Sequence, residues 1–451
     1  MKLRPFARDR LRFASILVSL ASLAAIWYFA RFDREPSVDS GAALFPRDFD
    51  PPLSSKTEME IAALEESIRQ NPPNAAAATR LGQAYLQKAR ATIDPMYLNR
   101  AEALFKRALE LDSRDFQAIV GLGSICLSRH EFRDAITWGE RGLAINPWSS
   151  ELYGILGDAN VELGDYSRAV QFFQKMVDLK PQLSSYSRVS YLRELHGDLP
   201  GAIDAMRMAV SAGGPQRENT AWARVHLGNL LINSRDYGSA QREYEAALTD
   251  FPNYSHAFAG LGNLRIAQGR ERDALDLYKR VVQTMRLPAY RIVLADLYEA
   301  LGQHELANRE YALIQEIERF NRANGKDTEP EIILFAADHA DQTEIGEVLA
   351  SARRQFERQP NVMMADALAW CLYKAHQSGS AKTAVQQALA LGTADPLMLY
   401  HAGMIHLSLG EREKARAYLT RALAINRHFS IRHAAEAIHV LESLSSADVA
   451  N

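Results

Sequence analysis

The sequence predicts an all-α fold, a superhelical solenoid of about ten helix-turn-helix repeats preceded by a single N-terminal transmembrane helix. Leu-Gly pairs at 122–123 and 156–157 stand 34 residues apart, as do those at 227–228 and 261–262. Pro147 and Pro181 recur at the same interval of 34 residues. A fixed period of this length indicates stacked helical units rather than one globular core. The third observation is an apolar run without charge near the N-terminus.

That run covers residues 13–30, FASILVSLASLAAIWYFA, and we expect it to be a transmembrane anchor. Residues 1–12 precede it with five basic residues and one acid, a net charge of +4, and form the expected cytoplasmic tail. The charge asymmetry predicts that the chain beyond the anchor is extracytoplasmic, which in a bacterium means the periplasmic side of the inner membrane. A cleaved signal peptide and a buried core helix are the alternatives.

Residues 31–56 contain four prolines and show no helical period. This composition predicts an extended linker that holds the next domain away from the bilayer.

Small and aromatic residues recur at fixed places within the 34-residue period. Small residues fill its eighth position: Gly82, Gly123, Gly157, Ser190, Gly228, Gly262, Ala295, Ala369 and Gly403. Alanine fills its twentieth position: Ala101, Ala135, Ala169, Ala202, Ala240, Ala274, Ala307, Ala381 and Ala415. Aromatic residues occupy its twenty-fourth position: Phe105, Phe173, Tyr244, Tyr278 and Tyr311. Glycine occupies its fifteenth position: Gly164, Gly197, Gly269, Gly302 and Gly410.

This pattern resembles the tetratricopeptide repeat family across nearly the whole chain. The resemblance implies that small residues lie where the two helices of a repeat cross, and that the aromatic ring fills the space between one hairpin and the next. Glycine at the fifteenth position is expected to close the first helix of the repeat, and proline at the thirty-second position to end the second. Helices near 57–70 and 430–444 are expected to cap the array.

A break in phase divides the predicted array into two segments. The stretch 321–330, NRANGKDTEP, contains loop residues and predicts a hinge. It separates a first segment, residues 57–320, from a second, residues 331–445, which ends in the cap helix.

Composition and motifs argue against several classes of function. The net charge of −3 gives the whole chain no nucleic-acid footprint. No nucleotide-binding or hydrolase motif occurs, and the two cysteines and twelve histidines lack metal-ligand spacing. Gly121 and Gly260 mimic half of a nucleotide loop, but their repeat positions predict packing. We therefore expect no cofactor, no metal and no catalytic residue. Asp338, His339 and Asp366 form no triad without a nucleophile.

In the family, the first helix of each repeat lines a concave groove through fixed positions. The resemblance thus implies that a group of residues in the middle of the array binds a partner: Arg188, Tyr191, Trp222, His226, Asn229, Asn233, His256 and Asn263. Asparagine amides both donate and accept hydrogen bonds, so Asn229 and Asn263 could hold an extended peptide by its backbone. Trp222 and Tyr191 are expected to provide exposed aromatic anchors. The competing interpretation is a solvated polar surface.

The leading hypothesis is a membrane-anchored, non-catalytic scaffold that binds other proteins or extended peptides during assembly or export of cell-envelope components. The alternative is a polysaccharide-binding array in exopolysaccharide export, in which Trp222, Trp370 and Tyr400 stack on sugars while Trp138 and Trp148 only pack. An enzyme with an unrecognised site is the third hypothesis, with Asp366 and His339 as its test residues.

Overall fold

The computed structural model describes residues 55–70, 74–92, 95–214, 218–285, 287–323 and 328–449. Within these ranges the chain is entirely helical, with 22 helices and no strand. The predicted tail 1–12, the anchor 13–30 and almost all of the linker 31–56 lie outside the described residues, as does part of the predicted hinge, residues 324–327. None of the described helices has both the length and the apolar character needed to cross a bilayer.

The helices form ten antiparallel pairs between two flanking helices, as the period predicts. The first segment contains α1 Ser55–Gln70, α2 Ala75–Thr92, α3 Pro95–Leu111, α4 Phe116–Ser128, α5 Phe132–Ile145, α6 Ser150–Glu162, α7 Tyr166–Leu179, α8 Leu183–Leu195, α9 Leu199–Ala212, α10 Glu218–Asn233, α11 Tyr237–Asp250, α12 Ser255–Ala267, α13 Glu271–Thr284, α14 Pro288–Ala300 and α15 His304–Ala323. The second contains α16 Pro330–His339, α17 Ile345–Arg358, α18 Val362–Lys374, α19 Ser378–Ala388, α20 Pro396–Ser408, α21 Arg412–Ile425 and α22 Ala434–Val449.

Glycine at the fifteenth position forms the turn inside five of the repeats. These five glycines adopt positive φ, between 69° and 75°, which allows the first helix to end sharply. In some repeats an aspartate directly after the turn then caps the second helix. In α7 and α9 the caps are Asp165 and Asp198, whose carboxylates accept the N–H groups of Arg168 and Gly201. The predicted role of these glycines is confirmed.

Aromatic rings at the twenty-fourth position fix the spacing between helices. The Phe105 ring fits against Gly82 of its own repeat and Gly121 of the next, where an added Cβ would overlap it. The Tyr244 ring packs in the same way against Gly228 and Gly260. Both rings are fully buried. Gly121 and Gly260 are therefore packing residues, as predicted, and the half-nucleotide-loop pattern is incidental.

The two segments meet along an edge that we call the seam. Its contacts join turns of the first segment to the loops between repeats of the second. Asn361 Nδ2 donates to Glu162 Oε2 at 2.7 Å, and the Val362 N–H donates to Tyr166 Oη at 2.8 Å. The Thr393 hydroxyl donates to the Leu195 carbonyl at 2.6 Å.

Arg235 continues the seam by donating to the Ile425 carbonyl at 3.2 Å. Successive repeats of the first segment thus contact successive repeats of the second. The array therefore curls until neighbouring turns of the superhelix touch. The 321–330 hinge remains a prediction, and these contacts connect the two segments independently of it.

Replacing Gly260 by alanine is expected to destabilise the full-length chain by about 1–3 kcal/mol, because the new methyl group overlaps the Tyr244 ring. The matched control is Gly346→Ala in α17, where an added Cβ meets nothing within 4 Å. That change should be neutral, or stabilising by about 0.5–1 kcal/mol, through the better helix propensity of alanine. Urea titration followed by circular dichroism measures both, and equal effects would contradict the close packing.

Candidate partner-binding surface of the inner helices

One face of α10 brings four of the predicted site residues into line. Trp222, His226, Asn229 and Asn233 are separated by four, three and four positions, the spacing that places side chains on one stripe of an α-helix. His256 and Asn263 occupy the corresponding stripe of α12, the first helix of the next repeat. The structure thus places six of the eight predicted residues on two consecutive first helices.

The two aromatic residues of the predicted site are buried. Trp222 is 2% exposed and Tyr191 is 6% exposed, and both belong to the hydrophobic core of the first segment. The indole of Trp222 contacts the imidazole of His226, with ring centroids 3.9 Å apart. The expectation of exposed aromatic anchors is therefore wrong. The spacing places Trp222 and Tyr191 on first helices of their repeats, but both rings are buried there in the hydrophobic core.

Asn229 and Asn263 each take part in the same hydrogen bond. Tyr244 Oη donates to Asn229 Oδ1 at 2.7 Å, and Tyr278 Oη donates to Asn263 Oδ1 at 2.6 Å. Each tyrosine is the buried aromatic residue of the same repeat, 15 positions after its asparagine. The hydroxyl fixes which side of the carboxamide accepts, so the Nδ2 group is the side left to donate to a partner.

The two histidines of the stripes are uncharged at neutral pH. Burial lowers the pKa of His226 to about 3, with a smaller contribution from the nearby His256. Burial likewise lowers the pKa of His256 to about 4, and its Nδ1 lies 2.6 Å from Tyr290 Oη. Both side chains remain partly exposed. The surface therefore offers neutral donors and acceptors rather than a cation.

Asn233 is the most unusual residue of the stripe. It is 5% exposed, and among the described residues neither its Oδ1 nor its Nδ2 has a hydrogen-bond partner. A buried polar group without a partner costs about 1–3 kcal/mol.

Arg188 serves the structure rather than an open groove. Its Nε and Nη2 donate to the two carboxylate oxygens of Asp158 at 2.8 and 2.7 Å, and its Nη1 donates to the Ser184 carbonyl at 3.0 Å. The side chains of Arg188 and Asp158 are 1% and 5% exposed. This bidentate pair ties α6 to α8 across the boundary between two repeats.

Several residues that matter here escaped the sequence analysis. The tyrosines at the twenty-fourth position were identified only as packing residues, although the asparagine 15 positions earlier in both repeats is a signal for the hydrogen bond.

Trp148, expected to pack, is 71% exposed, with the Lys175 ammonium 5.9 Å from its ring. The proposed sugar-stacking residues Trp370 and Tyr400 are 2% and 0% exposed, so they are unable to stack on a glycan.

The residues considered for catalysis form a buried network in the second segment. His401 Nδ1 lies 3.0 Å from both oxygens of Asp366, and the side chains are 1% and 4% exposed. Burial raises the pKa of the neighbouring Cys371 thiol to about 12, so it carries no thiolate near neutral pH. His339 contacts Arg432 instead, at 2.6 Å. Among the residues described, no group of His, Cys, Asp and Glu is arranged to hold a metal ion.

Breaking the Asp158–Arg188 pair from one side is expected to destabilise the chain by about 3–5 kcal/mol, because the remaining charge is buried without its partner. Asp158→Leu and Arg188→Met should each show this loss in urea titrations. The double variant should lose less than either single variant, since no unpaired charge remains. Additive losses would contradict the pairing.

Comparison with known proteins identifies the repeats. Models of the tetratricopeptide repeat match residues 150–183, 231–297 and 397–429. The Komagataeibacter xylinus cellulose synthase 1 operon protein C is 22% identical over 222 residues, 49% of this chain and 15% of that protein. Subunit 7 of the Arabidopsis thaliana anaphase-promoting complex is 24% identical over 218 residues, 48% of this chain and 38% of that protein. The chain thus spans less than half of the length of these two relatives.

Among solved structures, a tetratricopeptide repeat protein from Parabacteroides merdae is 16% identical, with a TM-score of 0.42, and the alignment covers 53% of this chain and 91% of that one. The family matches at residues 150–183, 231–297 and 397–429 show that the chain contains tetratricopeptide repeats, and the described helices form an α-solenoid.

Proposed function

We propose that the chain is a non-catalytic scaffold that binds other proteins, or extended peptides, on the stripes of α10 and α12. The observation that carries this proposal is the repeated Tyr–Asn hydrogen bond at Asn229 and Asn263. It orients two carboxamides in the same way on consecutive inner helices. A peptide backbone presents donors and acceptors at regular spacing, so a row of oriented amides can hold it without reading its side chains.

The repeat type supports the proposal, since tetratricopeptide repeat proteins bind other proteins or peptides. One relative is named as a subunit of a multiprotein complex. The surface itself favours a neutral segment, because His226 and His256 are uncharged at neutral pH. A free C-terminal carboxylate would find no cation among the six residues of the two stripes.

The proposal includes attachment to a membrane through residues 13–30, with the repeats on the extracytoplasmic side and a role in assembly or export of cell-envelope components. It is supported by the charge-free run and by the net charge of +4 in residues 1–12. A tether of this kind confines the scaffold and its partners to one surface, which raises their effective concentration.

An Asn229→Ala/Asn263→Ala variant of the full-length protein is expected to lose its partners. The alanines remove the Nδ2 donors while leaving the helices intact. The measurement is crosslinked affinity purification from membranes, with bound proteins identified by mass spectrometry. A defined set of proteins should be recovered with the wild-type chain and lost with this variant.

The matched control is Tyr244→Phe/Tyr278→Phe, which removes the same two hydrogen bonds but keeps both carboxamides. Phenylalanine already stands at the equivalent position in Phe105 and Phe173, so the fold accommodates it. This control should bind its partners more weakly than wild type without losing them, because the carboxamides remain but the tyrosine hydroxyls no longer orient them. Equal recovery from the alanine variant and wild type would rule out the amides as contacts.

A reporter fused after Asn451 is expected to be active on the extracytoplasmic side, because the positive charges precede the anchor. Alkaline phosphatase and green fluorescent protein fusions distinguish the two sides, since the first is active only outside the cytoplasm. A fluorescent, phosphatase-negative result would refute the proposed topology and leave the peptide-binding surface to be judged separately.

A glycan-binding array is the second candidate, and Trp148 favours it. This indole is 71% exposed and lies near Lys175, whereas the aromatic residues first considered are buried. An exposed indole face suits the apolar face of a sugar ring. The relative from Komagataeibacter xylinus is named for a cellulose synthase operon. Retention on cellulose that Trp148→Ala abolishes, with protein partners unchanged, would favour this function over the first.

A further inference from the structure

The seam contains a buried carboxyl group among other acids. Glu162 is 4% exposed at the end of α6 and accepts a hydrogen bond from Asn361 across the seam. Within the described part of the chain, its hydrogen-bond partner is this neutral amide, whereas buried carboxylates usually face a cation.

Acidic and phenolic groups face Glu162 from both segments. They are Asp158 on its own helix, Tyr166 on α7, Tyr191 on α8, and Glu329 and Glu331 at the start of α16. Among the described residues, two bases contact members of this set: Arg188 pairs with Asp158, and His130 Nε2 lies 3.6 Å from Glu329. The charges of Glu329, Asp158 and Glu331 disfavour the ionised form of Glu162.

The same arrangement recurs one repeat further along the seam. Glu194, near the end of α8, is held close to Asp395, which caps α20 with its carboxylate. Both acids stand beside the hydrogen bond between Thr393 and Leu195. Like-charged groups thus oppose each other across two successive contacts of the seam.

These surroundings favour the protonated acids. Burial raises the pKa of Glu162 to about 8, with repulsion from Glu329 as the next cause. Burial, and then Asp395, raises the pKa of Glu194 to about 8. An acid with a raised pKa stabilises the closed form fully below its ordinary value, near 4.5, and this contribution disappears as pH rises to about 8.

We propose that the seam is a proton-dependent latch, in which Glu162 holds neighbouring turns of the superhelix together while it is protonated and releases them when it ionises. The release follows from geometry. An ionised Glu162 is buried near Asp158, Glu329 and Glu331. Separation of the two segments exposes Glu162 to water and moves Glu329 and Glu331 away from it. The latch concerns the solenoid alone and does not depend on what the inner helices bind.

The test measures the distance between the segments as pH changes. Cysteines replace Asp204 on α9 and Gln386 on α19, both exposed, and carry spin labels for double electron–electron resonance in the full-length chain. The native thiols Cys126 and Cys371 are buried, and burial raises the pKa of each to about 12, so they resist labelling. One distance is expected at pH 6, and a second, longer one at pH 9. The open-to-closed ratio should rise about a hundredfold over this interval.

Glu162→Gln keeps an acceptor for Asn361 without an ionisable group, so its open fraction at pH 9 should be smaller than that of wild type. Glu162→Gln/Glu194→Gln removes both raised acids and should show only the short distance at pH 9. The matched control is Glu110→Gln, an exposed acid on α3 that should behave as wild type. Circular dichroism at both pH values confirms equal helix content. An unchanged wild-type distance between pH 6 and 9, or opening of Glu162→Gln as in wild type, overturns the latch.

A second variant tests the seam without altering an acid. Tyr166→Phe removes the acceptor of the Val362 N–H, which weakens the closed form at every pH. The longer distance should then appear at lower pH than in wild type. An unshifted transition contradicts the role of these contacts in closure.

Discussion

Every repeat of this solenoid depends on how closely two helices and the next hairpin approach one another. Phe105 and Tyr244 show the constraint most clearly, since each ring occupies space that a side chain on the facing glycines would fill. Close approach buries the ring completely and leaves few alternative packings. The geometry then carries over from one repeat to the next, because each ring touches its own hairpin and its successor. The curvature that brings the two segments together at the seam is the accumulated result of these local contacts.

Two polar contacts are added to this apolar packing at the centre of the array. The Tyr–Asn hydrogen bond uses the one polar atom of the packed ring to orient a carboxamide on the inner face. The Asp158–Arg188 pair joins adjacent repeats in a bidentate geometry that other side chains do not reproduce. The Asp158–Arg188 pair therefore distinguishes the repeats it joins from the two that share the Tyr–Asn bond.

The period predicted the ten helical pairs and the closing role of glycines such as Gly164, because these depend on spacing within one repeat. It also placed the candidate site on the inner helices. The solvent exposure of individual side chains could not be predicted from this period. Trp222 and Trp148 both occupy acceptable positions in the pattern, but the first is covered by neighbouring repeats and the second is not. The seam could not be predicted from the sequence either, because Asn361 and Glu162 are separated by 199 positions and no local pattern connects them.

The seam also bears on how the chain folds. Contacts within and between adjacent repeats span a few tens of residues, so they can form early and independently along the chain. The bond between Thr393 and Leu195 joins residues 198 positions apart and requires the repeats between them to be in place. Formation of the seam is therefore the last step of folding. During synthesis the first segment exists before the second segment is available to contact it. An array without such contacts unfolds by fraying from either end. Here the repeats after residue 360 contact repeats in the middle of the chain, so loss of one group removes support from the other.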